Sequence, residues 1–339
     1  MKAVGYQNPQ AISEPDSLID ITLPDPVATG HDLLVEVKAV SVNPVDTKVR
    51  KSGAPANGEA WKVLGWDASG IVRAVGPEVT LFKPGDRVWY AGSIARPGTN
   101  SELHRVDERI VGHMPKSIDF AQAAALPLTA ITAWEMLFDR LGIAPGKSPN
   151  AQTLLIIGAS GGVGSILTQL ATRLTSLTVI GTASRPETQA WVKELGAHHV
   201  IDHGQPIAEE LKRIGFPSVD HIVSLTQTDA HFDQIVEAIA PQGKFGLIDD
   251  PASLDVTKFK RKSVSVHWEL MFTRSLFGTA DMIGQHRLLN EVAALVDAGL
   301  IRTTLAEHFG PINAANLKRA HALIESGKAR GKVVLEGWA

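Results

Sequence analysis

Apolar and polar residues alternate along the first third of the chain. Leu33 to Val42 (LLVEVKAVSV) reads as a half-buried strand, and Gly70 to Val75 (GIVRAV) reads as another. Asp86 to Tyr90 makes a third, behind the turn Lys83-Pro84-Gly85. Gly and Pro punctuate these strands closely, as in a small twisted barrel. From Phe120 the period changes. Ala121 to Ala125 starts a helix, Pro127 interrupts it, and Ala130 to Leu141 resumes it. Strands and helices then alternate to about His267, through LLIIG, LTVIGTA, HHVIDH, VDHIVSLT, KFGLIDD and SVSVHW. That order predicts a doubly wound parallel sheet. The tail adds amphipathic helices over His286 to Ala298 and Ala314 to Ser326, then a strand, Lys332 to Leu335. A β-rich part, an α/β part and a return to β-structure imply an insertion. The expected divisions are 1–126, 127–270 and 271–339, the outer two forming one domain.

The most informative segment is LLIIGASGGVGS, Leu154 to Ser165. An apolar strand breaks into the turn Gly158 to Gly164, and a helix from about Gly162 to Leu174 follows. Glycines let backbone approach a pyrophosphate, and the helix presents unpaired N–H groups to it. A second strand, Leu177 to Thr182, arrives at βαβ distance, which turns a weak glycine pattern into a dinucleotide site. NAD-selective sites carry an acid about 20 residues beyond the glycines. Here the chain reads Ser184-Arg185. Arg185 can grip a 2′-phosphate, so NADPH is the expected cofactor. The plainer reading makes Arg185 the start of a solvated helix, Pro186 to Leu195, with Ser184 as its cap.

Composition narrows the rest. A chain of 339 residues suggests two domains, and a net charge of −3 gives no sign of nucleic acid or an anionic membrane as partner. No basic stretch followed by an apolar run suggests a secretory signal, and no apolar run reaches bilayer length. A cytoplasmic protein is expected. Cysteine is absent, which excludes disulfides, a thiol nucleophile and a cysteine-built zinc site.

The motifs VSVNPVDTKVR, VLGWDASGIVRAVG, FKPGDRVWYAG, AAALPLTAITAW, GASGGVGS and SGKARGKVVLEG run in one order along nearly the whole chain. In that order the chain resembles the medium-chain dehydrogenase/reductases, and more closely their zinc-independent quinone oxidoreductase branch and the subgroup labelled zinc-type alcohol dehydrogenase-like. The resemblance implies an α/β protein: a GroES-like β-barrel catalytic domain with an inserted Rossmann unit. Zinc-dependent members begin the segment matching Asn43 to Asp46 with Cys-His, and carry Gly-His-Glu where this chain has Gly65-Trp66-Asp67. Their third ligand has no counterpart between Ala125 and Thr132, so no metal is expected. His198, His199, His221 and His267 show no ligand pair spaced along a helix.

The resemblance also places candidate site residues. Asn43 can hydrogen-bond the nicotinamide ribose or a substrate carbonyl, with Asp46 orienting it; an Asx turn at Pro44 is the plainer alternative. Thr129 and Thr132 lie where the family's helix passes beneath the nicotinamide, although Thr in a helix often bonds a carbonyl one turn back. Gly161, Gly162 and Val163 offer backbone to the pyrophosphate, and Ser184 and Arg185 meet the 2′-phosphate. His203 falls near the adenosine phosphate, or is a surface residue. Leu225-Thr226 and Ile248-Asp249 end strands and should line the cofactor site, while Asp249 and Asp250 equally fit helix caps or solvated turn residues. Lys332 falls near the nicotinamide half, or is merely exposed. Tyr90 can donate to a substrate oxygen or simply pack. Trp268, Met271, Phe272 and Phe277 shape an apolar pocket, a core or an interface. The implied reaction is hydride transfer from NADPH to a quinone or an α,β-unsaturated carbonyl. A zinc alcohol dehydrogenase with rearranged ligands and a non-catalytic NADPH-binding protein are the alternatives. The alternating segment Ser263 to Trp268 suggests an edge strand that pairs two copies as a homodimer.

Overall fold

The computed structural model describes residues 1–56, 58–146 and 152–338. The chain divides into two compact units, Met1–Ile131 with Phe272–Ala339, and Thr132–Met271.

In the first unit the eleven-residue strand Asp32–Val42 is the organising element. It pairs antiparallel with Ala68–Val75, Leu103–Asp107 and Lys332–Glu336. Irregularities at Leu34/Val35 and Val37/Ala39 bend the ladder with Ala68–Val75, as bulges do in small barrels. Arg87–Tyr90 and Val111–His113 extend the seven-stranded sheet at one end and Leu305–His308 at the other. A three-stranded sheet joins Ile19–Thr22, Lys2–Tyr6 and Lys62–Val63. The helix Phe120–Ala124 stops ahead of Pro127, as expected, and Pro127 itself opens the next helix, Pro127–Trp134. At a first helical position its missing N–H costs nothing, because that donor has no intrahelical partner anyway. The expected single helix to Leu141 also changes character. Glu135–Arg140 is a wide π turn closed by Leu141 N–H donating to the Met136 carbonyl at 2.9 Å.

The second unit holds a six-stranded sheet in which every pair is parallel. Its order is His199–Ile201, Thr178–Thr182, Thr153–Ile157, Val219–Ser224, Ile239–Leu247, Ser265–Trp268. The first strand in sequence sits centrally, and strand order reverses there. Leu155, Ile180, Ile222 and Phe245 are wholly buried in one hydrophobic cluster of this unit. These strands therefore read as continuous apolar runs, not alternations. Ser265–Trp268 ends the sheet and leaves Trp268 53% exposed. Ser263 adopts a left-handed turn (φ 50°) ahead of it, so the strand is shorter than the alternation suggests.

Gly158 and Gly164 fix how strand meets helix. Gly158 has φ 83°. A Cβ on Gly164 would lie 2.4 Å from the Gly158 carbonyl oxygen. Backbone cannot yield there as a flexible side chain can. Gly164→Ala is expected to cost about 1–3 kcal/mol, read as a lower melting temperature by thermal unfolding.

Candidate active site

In the second unit, the turn after Thr153–Ile157 delivers the chain into helix Gly162–Leu174 with Gly161 as N-cap. Gly158 N–H donates to Thr182 Oγ1 at 3.1 Å, and Gly161 N–H to the Gly158 carbonyl at 3.2 Å. No side chain caps this helix. A Cβ on Gly161 would meet only the Gly158 oxygen at 3.5 Å, so the turn leaves space above the helix start. These residues fit a pyrophosphate: Gly161, Gly162 and Val163 offer amides with a clear approach.

Ser184 is exposed and Arg185 half-buried at the end of Thr178–Thr182. Arg185, not Ser184, is the N-cap residue of Pro186–Glu194, and its Nε lies 3.3 Å from Glu187 Oε1. No carboxylate stands at 184 or 185 to repel a 2′-phosphate. His203 follows His199–Ile201 and sits 6.0 Å, ring to ring, from His231; Nδ1 of each is buried without a partner. Leu225 N–H donates to the Ile157 carbonyl and Ile248 N–H to the Ser224 carbonyl, at 3.1 and 3.3 Å. With exposed Thr226, both continue from carboxyl ends of parallel strands, where ligands of such sheets bind. Asp249 is spent locally: it accepts from Thr228 N–H at 2.9 Å and from its hydroxyl.

The first unit gathers a buried cluster of charge. Asn43, Asp46, Asp67 and Lys332 are each at most 3% exposed. Asn43 N-caps helix Pro44–Ser52, and its backbone N–H donates to Asp46 Oδ2 at 2.7 Å. Lys332 Nζ donates to Asn43 Oδ1 (2.6 Å), Asp67 Oδ2 (3.0 Å) and the Val42 carbonyl (3.1 Å), which uses all three ammonium protons. Asn43 Nδ2 donates to Asp67 Oδ2 at 2.9 Å and reaches the Ser41 and Trp66 carbonyls at 3.4 Å. Asp67 Oδ1 accepts from the Leu128 N–H at 2.8 Å, at the start of Pro127–Trp134. Sequence reasoning does not single out Asp67. Its signal is one acid inside an apolar run, VLGWDASGIV, where an unpaired charge would be prohibitive.

Several expectations change at this point. The Asn43 carboxamide is engaged on both sides, so direct donation to a ribose or substrate carbonyl is unavailable while these bonds stand. Asp46 holds the Asn43 backbone, and Lys332 is enclosed rather than exposed. Thr129 Oγ1 bonds back to the Leu126 carbonyl at 3.0 Å, and Thr132 is buried. Tyr90 is wholly buried, and its hydroxyl lies 3.1 Å from His104 Nδ1. The other His104 nitrogen faces the Pro97 carbonyl at 2.9 Å. Burial drives the His104 pKa down to about 4, so the neutral ring donates to Pro97 and accepts the Tyr90 proton. The phenol's own pKa is pushed up by burial. Packing, not donation to substrate, is the role these surroundings support. Phe272 meets Trp66 edge to face at 6.2 Å, and both are buried, whereas Phe277 is 73% exposed.

Residues 29–118 match the alcohol dehydrogenase GroES-like domain, and 195–335 match a zinc-binding dehydrogenase domain. The chain is 39% identical over 337 residues to a zinc-type alcohol dehydrogenase-like protein of Staphylococcus aureus, covering 99% of both. It belongs to the medium-chain dehydrogenase/reductase superfamily. A mitochondrial NAD(P)H oxidoreductase of Homo sapiens is 32% identical, with 90% of this chain and 81% of that protein aligned. Among solved structures, a candidate zinc-dependent alcohol dehydrogenase from Rhizobium etli shares 62% identity (TM-score 0.96; 100% of this chain, 98% of that one). A Pseudomonas syringae quinone oxidoreductase and a mycobacterial protein complexed with NADPH each share 25% (TM-score 0.83; 99% of each chain). The superfamily supports an oxidoreductase with a nicotinamide cofactor.

The residues present do not fit the zinc that three of these descriptions mention. Among the described residues no three His, Cys, Asp or Glu side chains are grouped to hold a metal ion. Trp66 donates its indole N–H to the Ser93 carbonyl at 3.2 Å and offers no lone pair. The Lys332 ammonium, 3.0 Å from Asp67, would repel a second cation.

Two buried carboxylates share one ammonium in this cluster. Burial raises both acids against the pull of Lys332, Asp46 to about 7. An unfolded Asp titrates near 4. Between about pH 4 and 7 the native state holds a proton that the unfolded chain has released, so stability falls as pH rises through that window. Asp46→Asn keeps the oxygen that accepts from Asn43 and removes the ionisation. It is expected to match the native protein near pH 4 and exceed it by about 1–3 kcal/mol at pH 8, measured by denaturant unfolding at both pH values.

Proposed function

We propose that this chain is an NADPH-dependent oxidoreductase that reduces a quinone or another α,β-unsaturated carbonyl compound without a metal ion. The observation that carries this reading is the uncapped glycine turn at the strand-order reversal of the parallel sheet, followed by Ser184-Arg185 where NAD-selective sites carry an acid. The NAD(P)H oxidoreductase, quinone oxidoreductase and NADPH-complexed relatives support it.

When bound, reduced nicotinamide supplies the hydride. Gly161, Gly162 and Val163 bind the pyrophosphate through backbone amides. Ser184 and Arg185 take the 2′-phosphate, with His203 towards the adenosine phosphate. Leu225, Thr226 and Ile248 line the wall at the strand ends. In the first unit Asn43, Asp46, Lys332 and Thr129 shape the nicotinamide end, the first three as a buried support. A conjugated acceptor suits a site with no Lewis acid, since the substrate itself delocalises the developing charge. The edge strand Ser265–Trp268, with Trp268 and Leu270 each 53% exposed, supports a homodimer paired along it, and the proposed compartment is the cytoplasm.

The direct experiment is NADPH oxidation with a panel of quinones and enones, with and without a chelator. Turnover that survives chelation is expected; a bound cofactor with no turnover would leave a binding protein, and zinc-restored activity an alcohol dehydrogenase. Arg185→Ala should weaken NADPH about 10- to 100-fold, as loss of a charge-assisted phosphate contact does, and leave NADH nearly unchanged by calorimetry. Light scattering should give twice the chain mass, and Val266→Lys with Trp268→Lys should give a monomer.

A further inference from the structure

The charge cluster poses a question that cofactor binding does not answer. Lys332 Nζ is enclosed by three oxygen acceptors from Val42, Asn43 and Asp67, with Asp46 bonded to the Asn43 amide beside them. None of the four residues reaches the surface. A cluster of two acids and one base is costly to bury, and an apolar set of similar volume would be cheaper. Asp67 joins three stretches far apart in sequence: the Asn43–Pro44 turn, the final strand through Lys332, and the first turn of Pro127–Trp134 through Leu128. All three carry residues read above as shaping the nicotinamide end.

We propose that Lys332 is the resident cation of this cluster, a tethered ammonium that holds the Asn43 turn, the final strand and, through Asp67, the start of Pro127–Trp134 together, and that Asp67 and Lys332 are positioning residues. The inference rests on the proposed reading for its effect on turnover, but the cation's residence does not depend on it. The ammonium makes three N–H···O contacts, so a bare positive charge is not equivalent to it. Removing the side chain to Ala opens a space lined by a carboxylate, an amide oxygen and a carbonyl. A small primary ammonium ion has the donors to fill it.

Lys332→Ala is therefore measured in methylammonium chloride and in equal tetramethylammonium chloride, which has the charge but no N–H. Methylammonium should raise the variant's melting temperature while tetramethylammonium does not, and the unaltered protein should respond to neither. With an acceptor from the panel, kcat/KM should fall about 10- to 100-fold, as when an outer-shell partner is lost, and methylammonium should restore it saturably. NADPH affinity should change far less, because the glycine turn and Arg185 are untouched. A folded Lys332→Ala that keeps full kcat/KM, or loses it and ignores methylammonium in both assays, overturns the proposal. If Lys332→Ala does not fold, the charge-balanced pair Lys332→Met with Asp67→Asn decides. A folded double variant that binds NADPH but has lost kcat supports positioning, and full kcat overturns it. An unaltered protein that turns over no acceptor defeats the reductase reading instead, while the melting experiment still tests the resident cation.

Discussion

The contact between Asp67 and Lys332 is the constraint around which the first unit is organised. Each residue alone would be an unpaired charge in a dry interior, and breaking such a pair costs about 3–5 kcal/mol. Together they oblige their segments to meet in one register. Asp67 leads into Ala68–Val75, and Lys332 opens Lys332–Glu336. Both strands flank Asp32–Val42, whose last residue lends its carbonyl to the ammonium. A slip by one residue would turn either side chain to the opposite face. The pair thus acts as a register pin as well as an electrostatic core.

Asn43 illustrates how burial changes a residue's meaning. Its carboxamide has two ends of opposite polarity, and the cluster satisfies each with a group of the matching kind: ammonium on the oxygen, carboxylate on the nitrogen. Its backbone N–H goes to Asp46, which completes the cap of Pro44–Ser52. A residue so thoroughly bonded holds a turn in place and has little left for a ligand. Tyr90 follows the same logic, its one proton committed to a neutral His104.

Much of the second unit was legible in the chain, because its signals are local. Leu154 to Ile157, Gly158 to Gly164 and the helix that follows are contiguous, and the apolar runs match the largely buried parallel strands Thr153–Ile157, Thr178–Thr182 and Val219–Ser224. The alternation in Leu33 to Val42 was equally readable. Legibility failed where partners are remote: Asp67 and Lys332 are 265 residues apart, and neither segment hints at the other. It also failed where a local signal has two outcomes. Pro127 can stop a helix or begin one, and only the partner supplied by Asp67 for the neighbouring Leu128 amide shows which. The π turn at Glu135–Arg140 has no signature in residue type at all.

The distance between Asp67 and Lys332 also bears on how the polypeptide matures as it leaves the ribosome. Residues up to Ile131 emerge with two acids destined for a dry interior and no counter-charge, since the ammonium follows only after the whole second unit has been made. Until then contact with water is the cheaper state for both acids, whereas the parallel sheet draws its strands from one continuous stretch, Thr153 to Trp268. Lys332–Glu336 then brings the cation that balances them, so the first unit draws its electrostatic core from both ends of the chain.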